Sequence, residues 1–324
     1  MLSGLALALG GLVVLTVAAD EFVAGAARLA VTFRIAPVVV GAVVVGFGTS
    51  APEMVVSALA AQQGNVDLGV GNVIGSNVAN ISLVLGVVTW VTAVPVRSST
   101  IRREAPMSVG AVAIFAVLVQ GGVDRWEGGA LAALLVVSLG LVLSAARPDD
   151  HLAEEVEELV ATGASTTPVE VARTLVGLVV VVASSAVLVE GAERVADALD
   201  ISGGFVGFTL VALGTSAPEL VTSLAAARRG ETDLLVGNLL GSNLFNALAV
   251  GGIIGLVGPG PVLDTTLEHA GSLLMVGICA LSWSMMTLGG TVTRRNGMVL
   301  TALWVVSVLV LSRGEETLAL ALGR

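Results

Sequence analysis

The sequence GTSAPE stands at residues 48–53 and returns unchanged at residues 214–219. A second block, GNVIGSNVAN at residues 71–80, returns as GNLLGSNLFN at residues 237–246, with the same offset of 166 residues (214 − 48 and 237 − 71). Both blocks are polar sequence within apolar sequence, where a proline or a carboxylate costs several kcal/mol unless another group compensates it. Two matching copies therefore predict one shared site to which both halves of the chain contribute.

The composition indicates an integral membrane protein. Hydrophobic residues make up 55% of the 324 residues, charged residues make up 12%, and the mean hydropathy is +0.97. A water-soluble core cannot hide so much apolar surface, and the long apolar runs approach the roughly 20 residues that cross a bilayer as a helix. The net charge of −10 disfavours nucleic acid as a partner. The single cysteine, Cys279, excludes an intrachain disulfide.

Hydropathy together with Gly and Pro punctuation predicts an all-α membrane protein with about ten spans. The predicted spans are residues 3–29, 36–63, 67–92, 104–120, 127–145, 169–196, 204–229, 233–257, 267–289 and 297–313. The hydrophilic connector divides these spans into two sets of five. We therefore expect a first five-helix repeat at 1–145, an acidic connector at 146–168 and a second five-helix repeat at 169–324, all within one integrated domain.

The two repeats are expected to have inverted topology, because an odd number of spans in each half places the second copy upside down. With the amino terminus outside, most of the arginines fall on cytoplasmic segments, among them Arg34, Arg103 and Arg295. This distribution agrees with the excess of basic residues that cytoplasmic loops carry. The connector 146–168 is then expected to be cytoplasmic.

The GTSAPE blocks predict helix breaks at membrane depth. Pro52 and Pro218 lack an amide hydrogen and press against the carbonyl four residues earlier. Backbone oxygens freed in a membrane are tolerated only where they are buried in protein or line a cavity, and a bound hard cation suits them. Glu53 and Glu219 follow at the start of each second half-helix, where the positive end of the helix dipole favours an ionised carboxylate.

The second block predicts a polar stripe on the spans that follow. Asn72, Ser76 and Asn80 are spaced four residues apart, and so are their counterparts in the second half, which places each trio on one helix face. Carboxylate, hydroxyl, amide and carbonyl oxygens without His or Cys are typical of a calcium or sodium site and not of zinc or copper. For Asn72 and Asn238 we expect capping or packing contacts instead of direct ligation.

A proline-kinked packing motif is the alternative interpretation of one GTSAPE block alone, and the duplication disfavours it. With both paired blocks, the chain resembles the cation/calcium exchanger superfamily, and within it the prokaryotic sodium/calcium exchangers with two alpha repeats. The resemblance covers nearly the whole chain. It implies a ten-helix fold with central ion sites that exchanges about three sodium ions for one calcium ion by alternating access.

The resemblance also implies a ligand set by motif position. Calcium would be bound by Glu53 and Glu219, joined by the carbonyls of Thr49 and Thr215. Sodium would be bound by the same two carboxylates and by Gly46, Ser50, Ser76, Ala212, Ser216 and Ser242, with Gly46 and Ala212 using their carbonyls. The amides of Asn80 and Asn246 would complete a central position.

Two positions bear on the branch of the superfamily. Potassium-dependent relatives carry an acidic residue where Asn246 stands, so potassium co-transport is not expected here. Proton-coupled relatives carry a GNA-x-E type motif in place of GTSAPE, so the motif favours the sodium-coupled branch.

The expected function is therefore electrogenic sodium/calcium antiport that extrudes calcium across the cell membrane. A proton/calcium antiporter is the nearest alternative, and a calcium channel would use the same oxygen chemistry. An intramembrane hydrolase is disfavoured because no His or Lys base lies in the spans of Ser50 and Ser216. The expected partners are the lipid bilayer and the two transported ions. No cofactor, no enzymatic activity and no obligatory protein partner are expected.

Overall fold

The computed structural model describes residues 1–32, 50–96, 101–145, 166–230 and 232–313. The first half contributes α1 (Leu2–Thr32), α2 (Ala51–Gln62), α3 (Val66–Val91), α4 (Ile101–Leu118) and α5 (Arg125–Ala145). The second half contributes α6 (Thr167–Leu199), α7 (residues 203–215), α8 (Ala217–Arg229), α9 (residues 232–257), α10 (Leu267–Gly289) and α11 (Arg294–Ser312). Together, α7 and α8 form one broken span.

These helices confirm the predicted spans. Within the described ranges, each predicted span coincides with a helix to within a few residues at either end. Residues 36–49 of the second predicted span and residues 146–165 of the connector lie outside the described residues. Eight helical segments among those described are long and apolar enough to cross a membrane. The chain is a helical membrane protein with two repeats of five spans.

The packing of α1 against α6 reveals the inverted arrangement of the repeats. These two equivalent helices run antiparallel: Gly11 lies against Leu188, and Gly177 lies against Phe22. A Cβ atom added at Gly11 would lie 2.8 Å from the Leu188 nitrogen, so the two backbones are in contact. Because the duplication relates residue 11 to 177 and residue 22 to 188, the two contacts are one contact with the halves exchanged. Equivalent helices paired in this way are the signature of inverted repeats.

Two short ladders between loops follow the same symmetry. β1 (Val94–Pro95) pairs antiparallel with β2 (Thr291–Val292), and Val123 forms an antiparallel bridge with Gly260. Val94 and Gly260 are equivalent in the duplication, so each ladder joins the loop after the third span of one half to a loop between the fourth and fifth spans of the other. The all-α prediction holds for the spans, whereas strands of two residues are too short to show a sequence period.

The centre of the molecule is formed by α3 and α9. Both helices bury most of their residues, whereas α5 buries few. Ile74 on α3 and Leu239 on α9 are fully buried. Leu273 and Leu288 on α10 are largely exposed, as is expected of a surface that faces lipid. The polar second block therefore lies on the two most buried helices.

Candidate functional site

Both GTSAPE blocks begin a helix in the same way. Ser50 precedes α2 with φ −91° and ψ 4°, and Ser216 separates α7 from α8 with φ −85° and ψ 7°. Pro52 and Pro218 lie in the first turn of the helix that follows, where the missing amide hydrogen costs no intrahelical bond. The span of the second half is thus interrupted at Ser216, as Pro218 predicts, and in the first half α2 begins directly after Ser50.

These helix starts place Glu53 and Glu219 in the first turns of α2 and α8. Both carboxylates are 0% exposed. The Ser216 hydroxyl donates to Glu53 Oε1 at 3.4 Å, and the Ser242 hydroxyl donates to Glu219 Oε1 at 3.4 Å. The first of these bonds joins the two halves. Since Ser216 precedes Glu219 by one helical turn, the two carboxylates belong to one site.

The second oxygen of each carboxylate, Glu53 Oε2 and Glu219 Oε2, is buried without a hydrogen-bond partner. Within the described ranges, no arginine lies within ion-pair distance of either group. A buried carboxylate is costly unless a positive charge or several hydrogen bonds compensate it. The site therefore has the electrostatic character of a cation site.

Neutral oxygens surround the carboxylates. Ser50, Ser76, Ser216, Ser242 and both central amides are at most 3% exposed. Among the predicted ligands that the structure describes, five buried side-chain oxygens have no hydrogen-bond partner: Ser50 Oγ, Glu53 Oε2, Asn80 Oδ1, Glu219 Oε2 and Asn246 Oδ1. Carboxylate, hydroxyl and amide oxygens are the donors that calcium and sodium prefer. The donor set fits these ions and offers neither sulfur nor imidazole.

The central amides lie in irregular helix. Asn80 falls in the π-helical segment Ala79–Val84 of α3, and Asn246 begins the π-helical segment Asn246–Val250 of α9. The regular α-helical part of each polar stripe therefore ends where the π-helical segment begins. A π turn changes the angular position of the residues within it, and such turns are frequent at functional sites.

Asn72 and Asn238 make packing contacts, as expected. The Asn72 Nδ2 donates to Ser57 Oγ at 3.0 Å and to the Glu53 backbone oxygen at 3.4 Å. Its Oδ1 accepts from Thr215 Oγ1 at 3.3 Å and from Ser76 Oγ at 3.5 Å. This amide therefore links α2, α3 and α7. Its hydrogen bond to the Glu53 backbone oxygen holds the first turn of α2 in place.

Of the remaining predicted ligands, the structure describes Ala212 and Thr215. The Ala212 backbone oxygen accepts the Ser216 amide hydrogen at 3.0 Å and the hydroxyl hydrogen of the buried Thr215 at 3.5 Å. Gly46 and Thr49 lie outside the described residues. Close approach of α7 to α3 is made possible at Gly75, where an added Cβ would lie 2.6 Å from the Ala212 Cβ.

Sequence reasoning missed Asn77 and Asn243, which are fully buried beside the central amides. They are one residue beyond the serines of the polar stripe, so a helical projection turns them away from it. The signal that identifies them is their repetition: each is the second asparagine of GNxxGSN in its half.

Comparison with known proteins agrees with this fold. The family described as sodium/calcium exchanger protein matches residues 3–144 and 170–313. The putative antiporter CaxA of Alkalimonas amylolytica is 39% identical over 82% of this chain and 84% of its own length. The inner membrane protein YrbG of Escherichia coli K12 is 36% identical over 87% of this chain and 89% of its own length.

A solved structure of the sodium-calcium exchanger NCX_Mj, soaked with sodium and strontium, is similar in fold with a TM-score of 0.65. Its sequence is 28% identical, and the match covers 95% of this chain and 98% of the exchanger. The family consists of transporters and not of enzymes. By its sequence, its inverted repeats and its buried carboxylates, the chain belongs to the sodium/calcium exchanger protein family.

Proposed function

We propose that this protein exchanges sodium for calcium across the cell membrane by alternating access and extrudes calcium electrogenically. The observation that carries the proposal is the pair Glu53 and Glu219. They come from opposite repeats, are fully buried, have no basic partner among the described residues, and each keeps one carboxylate oxygen without a hydrogen bond. A membrane interior tolerates such a pair when a cation occupies the site between them.

Charge balance gives the coupling. Two ionised carboxylates carry two negative charges, which one calcium ion neutralises. About three sodium ions in the same site leave one positive charge, so the membrane potential contributes about 2.3 kcal/mol per 100 mV to the exchange. Because both ions use Glu53 and Glu219, they exclude one another. Mutual exclusion couples their movements.

The proposed ligands extend the carboxylates with neutral oxygens. For calcium these are the backbone oxygens of Thr49 and Thr215. For sodium they are the hydroxyls of Ser50, Ser76, Ser216 and Ser242 and the backbone oxygens of Gly46 and Ala212. Asn80 and Asn246 form the central position. Support comes from the burial of the described members and from the unpartnered oxygens of Ser50 and both central amides.

The orientation proposed is amino terminus outside and connector 146–168 cytoplasmic, between the repeats 1–145 and 169–324. Helix directions place Arg28, Arg173, Arg228 and Arg294 at one end of the bundle: the ends of α1 and α8 and the starts of α6 and α11. Clustered arginines at one membrane face favour that face as cytoplasmic.

The test is uptake of radioactive calcium into proteoliposomes that are preloaded with sodium. The proposal predicts uptake only with an outward sodium gradient. When potassium and valinomycin set a negative interior, the rate of uptake should fall, because each exchange moves one positive charge outward. Uptake driven by a pH jump in sodium-free vesicles would instead identify a proton/calcium antiporter. Uptake that requires no counter-ion would identify a channel, and either result would contradict the proposal.

A further inference from the structure

A chain of hydrogen bonds between asparagines joins the halves beside the site. Asn243 on α9 donates from Nδ2 to the backbone oxygen of Asn77 on α3 at 3.1 Å. Its Oδ1 accepts from the Nδ2 of Asn80 at 3.2 Å. All three residues are fully buried. Asn243 therefore bridges a backbone group and a side chain on neighbouring turns of α3.

The Asn77 backbone oxygen fixes the direction of this chain. A carbonyl oxygen can only accept, so the end of the Asn243 amide that faces it must be the nitrogen. The Asn243 Oδ1 is then turned toward Asn80, which must present its own nitrogen. The Asn80 Oδ1 is left facing away from Asn243, buried and without a hydrogen-bond partner. The orientation of the Asn80 amide thus follows from a backbone group that cannot reverse its role.

Asn246, the counterpart of Asn80, lacks this support. Neither its Nδ2 nor its Oδ1 has a hydrogen-bond partner. Asn77, the counterpart of Asn243, donates instead to the Val73 backbone oxygen of its own helix at 2.8 Å. A side-chain amide without partners can present either of its ends. Of the two central amides, the structure therefore holds only Asn80 in one orientation.

We propose that Asn243 is a positioning residue that keeps the Asn80 oxygen turned toward the transported cations. An amide oxygen is a ligand for hard cations, whereas the NH₂ end carries only donors and repels them. Loss of Asn243 frees the Asn80 amide to reverse. This inference rests on the proposed function, because it assigns transported cations to the central position.

The test combines equilibrium binding of Ca²⁺ to purified protein with sodium-driven uptake into proteoliposomes. Asn243→Ala should raise the half-saturating Ca²⁺ concentration at least about twofold in both measurements, because reversal of the freed Asn80 amide leaves only about half of the protein with its oxygen toward the cation. Cys279→Ala is the matched control, because it removes the other contact of Asn243 Nδ2, at 3.6 Å, and leaves the bond to Asn80. The control should bind like wild type. Wild-type binding by Asn243→Ala would overturn the proposal.

A double-mutant cycle separates positioning from a structural role. In Asn80→Asp both ends of the side chain are oxygens, so orientation no longer decides which atom faces the cation. Adding Asn243→Ala to this variant should then not weaken binding, because it removes an oxygen that would face the new carboxylate. The same loss of affinity in both backgrounds would show that Asn243 does not act through Asn80, and would overturn the proposal.

Asn243→Leu gives a second reading should Asn243→Ala fail to fold, because it fills a similar volume and offers no acceptor to the Asn80 nitrogen. Weaker binding than wild type supports positioning, and wild-type binding contradicts it. The wild-type protein separates this inference from the proposed function. Wild-type protein without sodium-driven uptake contradicts the proposed function, whereas normal exchange with an unaffected Asn243→Ala contradicts positioning alone.

Discussion

Asn72 and Asn238 occupy the same place in the two repeats, yet the structure surrounds them differently. Asn72 is fully buried, donates to Ser57 Oγ at 3.0 Å and accepts from Thr215 Oγ1 at 3.3 Å. Asn238 is partly exposed and donates to Thr222 Oγ1 at 3.4 Å. Matching sequence blocks therefore hold the same amide in a closed environment in the first repeat and in a more open one in the second.

The difference shows that the contacts of a block depend on the spans packed against it. In the first repeat, Gly75 lets α7 approach α3 closely enough for Thr215 to reach Asn72. The central amides also differ in their contacts: Asn80 is hydrogen-bonded to Asn243, whereas Asn246 has no hydrogen-bond partner. Inverted repeats in unlike conformations are what alternating access requires, because exchanging the two conformations moves the opening to the other side.

The largest expected effect concerns the two carboxylates, at which the repeats should not differ. If one site uses both carboxylates, the repeats must be equivalent there, and Glu53→Gln and Glu219→Gln should each abolish calcium exchange. The loss should exceed the roughly 10- to 100-fold that removal of an outer-shell partner costs a metal site. Sodium-driven uptake measures it, with Glu190→Gln, an exposed residue of α6, as control. Near-normal transport by either site variant would remove that residue from the site.

The next effect sharpens the comparison of the two amides. Asn72→Ala removes buried hydrogen bonds to Ser57, Thr215 and the Glu53 backbone oxygen, so it should lower the free energy of unfolding by about 2 kcal/mol. Asn238→Ala removes one bond to a partly exposed hydroxyl and should cost less than about 0.5 kcal/mol. Thermal unfolding in detergent compares the pair. Equal losses would mean that the two environments do not differ in solution.

A third test compares the two ends of the α1–α6 pair. Arg28 and Glu170 form an ion pair between the helices at 3.3 Å with side chains 11% and 4% exposed, whereas Arg194 and Glu190 form an exposed pair within α6. Glu170→Gln should cost about 2 kcal/mol because it leaves a buried guanidinium less compensated. Glu190→Gln should cost less than about 0.5 kcal/mol. A larger loss from Glu190→Gln in thermal unfolding would reverse the assignment.

The last prediction is that removal of potassium has no effect on transport. The central amides Asn80 and Asn246 are both neutral, so one calcium ion already balances the two carboxylates and no charge remains for a potassium ion. Replacing potassium by choline on both sides of the membrane should leave sodium-driven calcium uptake unchanged. A dependence on potassium would contradict this charge balance.

Hydrophobic run lengths predicted the spans well, because a membrane fixes the length of an apolar helix. The prolines predicted the break at Ser216 and the helix start after Ser50, since a missing amide hydrogen is a local property. The duplication predicted the inverted arrangement, because the orientation of the second repeat follows from the odd number of spans in each half. Each of these features depends only on local sequence or on its repetition.

Features that depend on packing between spans were not predictable in this way. The π turns at Asn80 and Asn246 insert a residue into a helix, which composition does not signal. Asn77 and Asn243 lie off the polar stripe of a regular helix, and only the contact of α3 with α9 reveals their bonds. The unlike environments of Asn72 and Asn238 cannot be read from blocks that match in sequence.

The most direct test of the central claim, one site shared by both repeats, is the stoichiometry of equilibrium calcium binding to purified protein in the absence and presence of sodium. The account predicts about one calcium ion per chain, displaced by sodium, and loss of this binding in Glu53→Gln and in Glu219→Gln alike. Two calcium ions per chain, with one retained in each single variant, would show two independent sites and contradict it.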